Sequence, residues 1–399
     1  MDLSQGVSRA SSGRVLPKLT PRGWQVAALA EWERASHRGI VSVVTGGGKT
    51  VFALSCIDRI RPIATLIVVP TAALLEQWWE EAANYFDLDL DEINIITGSL
   101  RFRLGTINIA VLNTAAKLAA KIAQHKCFLI VDECHKAASE HFRAALQIHT
   151  IASLGLSATP ERPYDEGLKD VLIPALGPVI FSYDYGAALR DGVIVPFELR
   201  NIVFDLENDR QAEYDKLSKA IARSIRQHGT EADETIALFL KRSRVLNLSL
   251  NRIRLALKLV ATSRSKRTLI FHEDIDACNL IHSVLAENGV KSGVYHSKMT
   301  LRARAVMLGQ YRRGEIDVLV TCRALDEGFN VPETELGIIA ASTATQRQRI
   351  QRLGRVVRPA KGKTAALIYT LVATGPEIRR LKEEEARLEG IATVTWSRA

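Results

Sequence analysis

The chain has 399 residues, of which 47% are hydrophobic and 24% are charged, with 53 Lys and Arg against 44 Asp and Glu. This composition excludes a disordered chain and suits two or three globular domains, at roughly 100–200 residues per domain. The net charge of +9 favours a polyanionic partner.

The cysteines and the N-terminal residues indicate the cellular compartment of the protein. The five cysteines are an odd number without a CxxC pair, which argues against a disulfide framework or a zinc ribbon. No apolar run approaches the about 18–20 residues of a membrane span, and the first residues lack a signal peptide's apolar core. We therefore expect a cytoplasmic protein with reduced thiols and no membrane association.

The first half of the chain alternates short β-branched runs with helical patterns. Residues 1–14 predict a flexible tail. After them we predict helices from residue 49 and over 72–85, and strands at 40–44, 65–69, 107–112, 128–131 and 151–156. Short apolar strands separated by helices are typical of parallel βαβ units.

The middle of the chain breaks this rhythm. Residues 159–200 contain five prolines, which predicts loops and a connection between lobes. A polar helix is predicted over 209–227. Residues 246–260 fit both strand alternation and a helical 4-3-4-3 spacing, but the run is too long for an ordinary strand, so we predict a helix.

A second series of strands follows, predicted at 268–271, 293–295, 318–321, 337–341 and 365–369. The fold class is therefore α/β, with two tandem lobes, each a mostly parallel sheet flanked by helices. We predict the first lobe at 15–195 and the second at 196–399, with a helical insertion at about 207–262.

A glycine-rich segment, VVTGGGKT, joins the first predicted strand to its helix at residues 43–50. Glycines let backbone N–H groups approach phosphate oxygens, and the helix N-terminus adds its dipole. Lys49 then reaches the β- and γ-phosphates, and the Thr50 hydroxyl binds Mg²⁺. The P-loop pattern places its first glycine at position 43, where this chain has Val43.

The strand predicted at 128–131 is followed by two adjacent carboxylates, Asp132 and Glu133. In parallel sheets ligands bind at this end of a strand. We predict that Asp132 holds the Mg²⁺ and that Glu133 orients or deprotonates the attacking water. Together with the glycine-rich segment this predicts an ATP or GTP hydrolysis site. A GTPase needs an NKxD-type guanine reader, which this sequence lacks.

The sequence Asp132-Glu133-Cys134-His135 resembles the DEAD/DEAH-type signature of superfamily 2 helicases and translocases. Further signatures follow in the family's order across nearly the whole chain, from RGWQ at 22–25 through SAT at 157–159 to QRLGRVVR at 351–358. The resemblance implies two RecA-like lobes that bind ATP and Mg²⁺ between them and move along nucleic acid.

The resemblance also assigns roles to individual residues. Gln25 is assigned to adenine recognition. ATP binding is assigned to Gln25, Thr45, Gly46, Gly47, Gly48, Lys49, Thr50, Asp326, Gly328 and Gln351. Contacts with the nucleic-acid backbone are assigned to Pro70, Thr71, Gln77, Thr97, Gly98, Asn113, Thr114, His296 and Thr321. Coupling of hydrolysis to movement is assigned to His135, Ser157, Ala158 and Thr159.

Two basic segments lie in the second half. Residues 347–363 contain seven Lys or Arg and no acid, a pattern that also fits a solvated face. Arg355 and Arg358 lie one helical turn apart, so both can point the same way. The resemblance implies that they are arginine fingers, which makes the catalytic set Lys49, Asp132, Glu133, Arg355 and Arg358.

The second basic segment, residues 235–272, contains nine Lys or Arg and no acid. Its charged face either follows a phosphate backbone or faces solvent. That face consists of Lys241, Arg242, Arg244, Arg252, Arg254 and Lys258.

We predict an ATP-driven nucleic-acid motor. The chain resembles the XPB, RadD and restriction-enzyme motor branch, which mostly acts on DNA, and lacks the DEAD and HRxGRxxR signatures of the RNA branch. DNA is therefore the expected substrate, with a protein partner as a source of specificity. Two alternatives are an RNA helicase and a DNA-stimulated ATPase subunit of a larger restriction, repair or defence complex that does not itself separate strands. An inactive scaffold would be expected to lack Lys49, Glu133 or a finger arginine. This sequence has all of them, which argues against a scaffold.

Overall fold

The structure of the protein is a computed structural model that describes residues 20–98, 104–161, 166–230, 232–263, 266–322, 331, 333–341 and 346–399. The side chains of residues 301, 346–348, 350 and 351 lie outside this description. The predicted tail at 1–14 and the predicted ATP contacts Asp326, Gly328 and the Gln351 side chain are therefore outside it as well. Among the described helices, none combines the length and apolar character that a bilayer-spanning segment requires.

The first half of the described chain alternates strands and helices, as the βαβ pattern predicts. The elements are α1 (Gly23–Arg34), β1 (Arg38–Val43), α2 (Lys49–Ile60), β2 (Thr65–Val69), α3 (Ala72–Phe86), β3 (Ile93–Ile96), β4 (Ile107–Val111), α4 (Leu112–Ile122), β5 (Cys127–Asp132), β6 (Thr150–Ser157), α5 (Ile173–Leu176), β7 (Val179–Tyr183) and α6 (Tyr185–Arg190).

The second half continues in the same way, with a group of helices after its first strand. The elements are β8 (Phe197–Val203), α7 (Asn208–His228), α8 (Asp233–Asn247), α9 (Leu250–Thr262), β9 (Thr268–His272), α10 (Ile275–Glu287), β10 (Ser292–His296), α11 (Leu301–Arg313), β11 (Val318–Cys322), β12 (Leu336–Ile339), α12 (Gln346–Val356), β13 (Ala366–Val372), α13 (Gly375–Arg387) and β14 (Thr393–Arg398).

The described strands form two sheets of seven. The first has the order β3-β4-β2-β5-β6-β1-β7 and the second the order β10-β11-β9-β12-β13-β8-β14. The neighbouring strands of both sheets pair in parallel. This confirms the predicted α/β class with two tandem lobes of parallel sheet. The predicted lobe boundary at residues 195 and 196 falls between β7 and β8 and stays a prediction.

Four strands were absent from the sequence prediction: β3, β7, β8 and β14. The prediction of loops throughout 159–200 is wrong for β7, for the start of β8 and for α5 and α6. β3, β7 and β14 form sheet edges. An edge strand packs only one side against a neighbour, and its half-exposed residues give a weaker apolar signal than a central strand.

The helix predicted over 246–260 is confirmed for residues 250–260, which lie in α9, but its start is wrong, because two helices meet near residue 248. α8 ends at Asn247, and the Ser249 side chain accepts a hydrogen bond from the backbone N–H of Arg252 to cap α9. A serine at this position satisfies a free N–H group of the following helix, and so favours a new helix start over continuation. The apolar spacing on both sides of Ser249 is helical, as predicted.

The sheet order brings the predicted chemistry together. β5, β6 and β1 are adjacent in the first sheet, so their carboxyl ends lie side by side. Those ends carry the two carboxylates, the Ser157 triplet and the glycine-rich segment. A continuous cluster of buried apolar residues includes Val43 of the first sheet, Ile194 of the connection and Leu353 of α12. A Cβ at Gly354 of α12 would collide with Thr45, so the second lobe packs against the loop that follows β1.

Candidate active site between the lobes

The glycine-rich segment forms a tight loop between β1 and α2. Gly46 and Gly48 adopt left-handed backbone angles, with φ of +85° and +100°, which favour glycine. Val43 is fully buried, and a Cβ at Gly47 would lie 2.5 Å from its Cγ1 atom. The glycine at 47 therefore makes room for the valine that replaces the first P-loop glycine.

Three side chains from the start of α1 support this loop. Arg22 and Trp24 both donate hydrogen bonds to the Gly47 carbonyl, from Nη1 at 2.8 Å and from Nε1 at 3.1 Å. Gln25 donates from Nε2 to the Gly48 carbonyl at 3.0 Å and accepts from the backbone N–H of Arg22 at 2.8 Å. The amide of Gln25 thus holds the phosphate loop in place, and its contact with adenine stays a prediction.

The two carboxylates at the end of β5 occupy different environments. Asp132 accepts hydrogen bonds from Trp78 Nε1 and from the backbone N–H of Glu133, both at 2.9 Å. Glu133 has a φ of +47°, rare for a residue with a side chain. In this conformation it reaches Lys49, whose Nζ donates to Glu133 Oε1 at 2.9 Å.

For each charged group of this cluster, burial and its oppositely charged neighbours shift the pKa in opposite directions. Burial raises the pKa of Asp132, and the Lys49 ammonium opposes this. Burial also disfavours the charged form of Glu133, but Lys49 and His135 outweigh it and lower the pKa of Glu133 to about 2. Burial likewise opposes the charge on Lys49, yet Glu133 and Asp132 raise its pKa overall. Lys49 and Glu133 are therefore an ion pair at neutral pH.

The second lobe contributes two arginines to the same site. Arg355 and Arg358 line a cleft of about 460 Å³ together with Lys49, Asp132 and Glu133. A Cβ at Gly46 would lie 2.8 Å from Arg358 Nε, so this guanidinium lies directly against the phosphate loop. Burial and the charge of Arg355 lower the pKa of Arg358 to about 9. Two cations that repel each other in a buried cleft favour an anionic ligand.

The cleft has the size and donors for a nucleoside triphosphate, since ligand sites of this kind measure about 300–1,000 Å³. Thr45 Oγ1 is buried at its wall and has no hydrogen-bond partner among the described residues. Thr50 and Asp132 offer hard oxygen ligands of the type that Mg²⁺ prefers. The residues present therefore fit both ATP and Mg²⁺.

The residues assigned to coupling lie directly beside the carboxylates. His135 Nδ1 is 3.0 Å from Ser157 Oγ and 3.4 Å from Glu133 Oε2. The Ser157 oxygen also accepts a hydrogen bond from the backbone N–H of Thr159 at 3.1 Å. A continuous chain of polar contacts thus joins Glu133 to the segment that follows β6.

The predicted nucleic-acid contacts fall on the other half of the first sheet. Pro70 and Thr71 follow β2, Thr97 and Gly98 follow β3, and Asn113 and Thr114 begin α4 after β4. Because these three strands are adjacent and parallel, the residues share one edge of the sheet. Their binding of nucleic acid stays a prediction.

Gln77 lies on α3, and its assigned contact with nucleic acid stays a prediction. Its side chain lines the cleft that holds Lys49, and its Nε2 donates to Glu81 Oε1 at 2.5 Å. In the second lobe, His296 is the last residue of β10. Thr321, on the adjacent β11, pairs in register with Tyr295 of β10. His296 and Thr321 therefore lie at the carboxyl edge of the second sheet, and their contact with nucleic acid stays a prediction.

Arg252 does not belong to the exposed basic face assigned to it. It is fully buried, with Nη2 at 3.2 Å from Glu377 Oε1 and Nη1 donating to the Leu371 carbonyl at 2.9 Å. A charged side chain is stable in a protein interior only when paired and hydrogen-bonded in this way. Its role is to join α9 to α13.

Sequence reasoning missed several residues of the site. Trp78 holds Asp132, and Glu81, Asn84 and Tyr85 line the cleft from the same helix, α3. A buried indole N–H needs a hydrogen-bond acceptor. A tryptophan on a predicted core helix therefore indicates that an acceptor lies nearby, but not which residue it is. The partner lies 54 positions away, and only the fold identifies it.

The geometry defines a nucleotide-binding cleft between two parallel-sheet lobes, the arrangement of an ATP-driven motor. Two family models of helicase-type domains match the chain. A family model described as "Type III restriction enzyme, res subunit" matches residues 18–162. A second model, "Helicase conserved C-terminal domain", matches residues 251–360.

Curated relatives agree with these matches. The chain is 28% identical over 384 residues to the "DNA 3'-5' translocase XPB2" of Sulfurisphaera tokodaii, covering 91% of this chain and 84% of that protein. It is also 28% identical over 352 residues to the "Putative DNA 3'-5' helicase Rad25" of Haloarcula marismortui, covering 87% of this chain and 52% of that protein. The chain thus spans about half the length of the second relative.

Solved structures share the fold. The Pyrococcus furiosus Hef helicase domain superposes with a TM-score of 0.55 at 17% identity, covering 92% of this chain and 98% of that one. Saccharomyces cerevisiae Dbp5 bound to RNA and ADP BeF3 gives a TM-score of 0.60 at 12% identity, covering 95% and 90%. Both have the tandem RecA-like lobes predicted here.

Proposed function

We propose that the protein hydrolyses ATP in the cleft between lobes 15–195 and 196–399 and uses the cycle to move along DNA in the cytoplasm. The observation that carries this proposal is the shared cleft. The first lobe supplies Lys49, Asp132 and Glu133, and the second supplies Arg355 and Arg358. Since neither lobe alone has the full set, hydrolysis depends on the lobes being closed.

The proposed roles follow from the contacts. The phosphate loop and Lys49 would hold the β- and γ-phosphates. Thr50 and Asp132 would hold Mg²⁺, which neutralises phosphate charge when bound. Trp78 already fixes one oxygen of Asp132, which leaves that carboxylate oriented for a metal.

Glu133 is the proposed base. In this structure its carboxylate is paired with Lys49. When Lys49 turns to phosphate oxygens, Glu133 loses its partner and becomes free to accept a proton from water. Arg355 and Arg358 would then stabilise the charge that develops on the transferred phosphoryl group.

Movement requires a connection between the ATP cleft and the residues that contact nucleic acid. The polar chain from Glu133 through His135 to Ser157 responds to the state of the nucleotide. The predicted backbone contacts lie at the same carboxyl edge of the sheet. Contacts with backbone carry no sequence information, so we expect sequence-independent binding that weakens steeply with salt. A protein partner would supply any specificity.

DNA, and a 3′-to-5′ direction, are supported by what the relatives are named for: a DNA 3′-5′ translocase and a DNA 3′-5′ helicase. The net charge of +9 also suits a polyanion.

The test measures ATP hydrolysis with single-stranded DNA, duplex DNA, forked DNA and RNA in parallel, at two salt concentrations. We expect DNA to increase the rate severalfold and higher salt to reduce that stimulation. Stimulation by RNA alone would replace DNA with RNA as the substrate. No stimulation by any of the four would overturn the motor function.

A further inference from the structure

The segment that carries Arg358 begins where α12 ends, and its carbonyl groups are held from outside the helix. The last carbonyls of a helix have no partner within it. Lys363 donates from Nζ to the carbonyl of Val356 and to that of Arg358, the latter at 2.8 Å. The carbonyl between them, on Val357, accepts from the backbone N–H of Val195 at 2.9 Å.

The chain returns Lys363 to this point through a tight turn. Gly362 has a φ of +82°, and the backbone N–H of Lys363 donates to the Ala360 carbonyl at 3.0 Å. Just beyond, the N–H of Ala366 donates to the Pro196 carbonyl at 2.9 Å. The segment 357–366 is therefore bonded at both ends to residues 195 and 196, which join the two sheets.

We propose that Lys363 is a positioning residue. It holds the backbone of Arg358, so that the Arg358 guanidinium enters the cleft at the correct place. This rests on the proposed ATP hydrolysis. The ammonium group satisfies two carbonyls on either side of Val357, while the connection between the lobes satisfies the third. The backbone beside Arg358 is thus bonded to the segment that connects the two sheets.

The charge on Lys363 makes this support sensitive to pH. Burial and the positive charge of Arg358 lower the pKa of Lys363 to about 8, and the carboxylates of Glu335 and Glu333 partly oppose that shift. Below this pH the ammonium donates charge-assisted hydrogen bonds to both carbonyls. Above it, the neutral amine keeps two N–H donors, but its hydrogen bonds to the carbonyls lose their charge assistance, and the support weakens.

The experiment compares Lys363→Met and Lys363→Arg with the wild-type chain. The matched control is Lys361→Met, since Lys361 is exposed in the same turn. We expect Lys363→Met to lower kcat about tenfold or more, with KM and the binding of a fluorescent ATP analogue little changed. Lys363→Arg should restore most of kcat, and Lys361→Met should match the wild type. A melting curve of each variant checks folding.

The pH profile separates positioning from a merely structural role. The kcat/KM of the wild type, divided by that of Lys363→Arg, should fall as pH rises through about 8. A ratio that does not change with pH, or wild-type kcat in Lys363→Met, would overturn the inference. If the wild-type chain itself hydrolyses no ATP, the proposed function fails instead, so the two failures are distinguishable.

Discussion

Replacement of Glu133 by glutamine should lower the rate of ATP hydrolysis by about 10²- to 10⁴-fold, the range expected for loss of a general base. The amide still accepts a hydrogen bond from Lys49, so the loop and nucleotide binding should survive. Against the effect of burial, Lys49 and His135 lower the pKa of Glu133 in this structure, so the carboxylate is already ionised at neutral pH before ATP draws Lys49 away. Steady-state hydrolysis beside a nucleotide-binding titration measures both quantities.

Glu140→Gln is the matched control for this variant. The Glu140 side chain is 89% exposed in the loop that follows the same strand, and its loss should leave hydrolysis unchanged. Turnover at the wild-type rate in Glu133→Gln would remove Glu133 from the active site. Loss of nucleotide binding together with turnover would show instead that the Lys49 pair maintains the loop.

Replacement of Arg355 by alanine should reduce hydrolysis on the order of 10³-fold, because an arginine finger stabilises charge that develops only in the transition state. Nucleotide binding should persist, since the phosphate loop and Lys49 belong to the other lobe. The measurement is single-turnover hydrolysis at saturating ATP, together with the dissociation constant of a fluorescent ATP analogue.

Arg379→Ala provides the control, because Arg379 is exposed on α13 of the same lobe. Arg355 is only 3% exposed, so a melting curve must accompany the kinetics. A folded Arg355→Ala variant that hydrolyses ATP at the rate of Arg379→Ala would contradict an active site shared between lobes.

The sequence predicted those parts of the site whose residues are adjacent in the chain. The GGGKT run and the Asp132-Glu133 pair each follow a continuous apolar strand, which is a local pattern. The helical spacing predicted for Arg355 and Arg358 is wrong, because α12 ends at Val356 and Arg358 follows it. Apart from β8, the strands with a neighbour on each side were predicted, because strands buried on both faces are continuous apolar runs. β8 starts with an alternation of buried and more exposed residues and was missed.

The remaining features depend on contacts between distant residues. Trp78 binds Asp132, Gly47 makes room for Val43, and Lys363 holds the end of α12. None of these residues differs in its local pattern from an ordinary core or surface position. Arg252 shows the same limit, since its buried partner Glu377 lies 125 positions later in the chain.

The most direct test of the account is ATP-dependent release of streptavidin from the ends of DNA. Single strands and duplexes biotinylated at the 5′ or the 3′ end serve as substrates, with Glu133→Gln as the inactive control. The account predicts release that requires ATP, that Glu133→Gln abolishes, and that on single strands is faster from the 5′ end, the end that a 3′-to-5′ motor reaches. DNA-stimulated hydrolysis without release from any of the four substrates would contradict it.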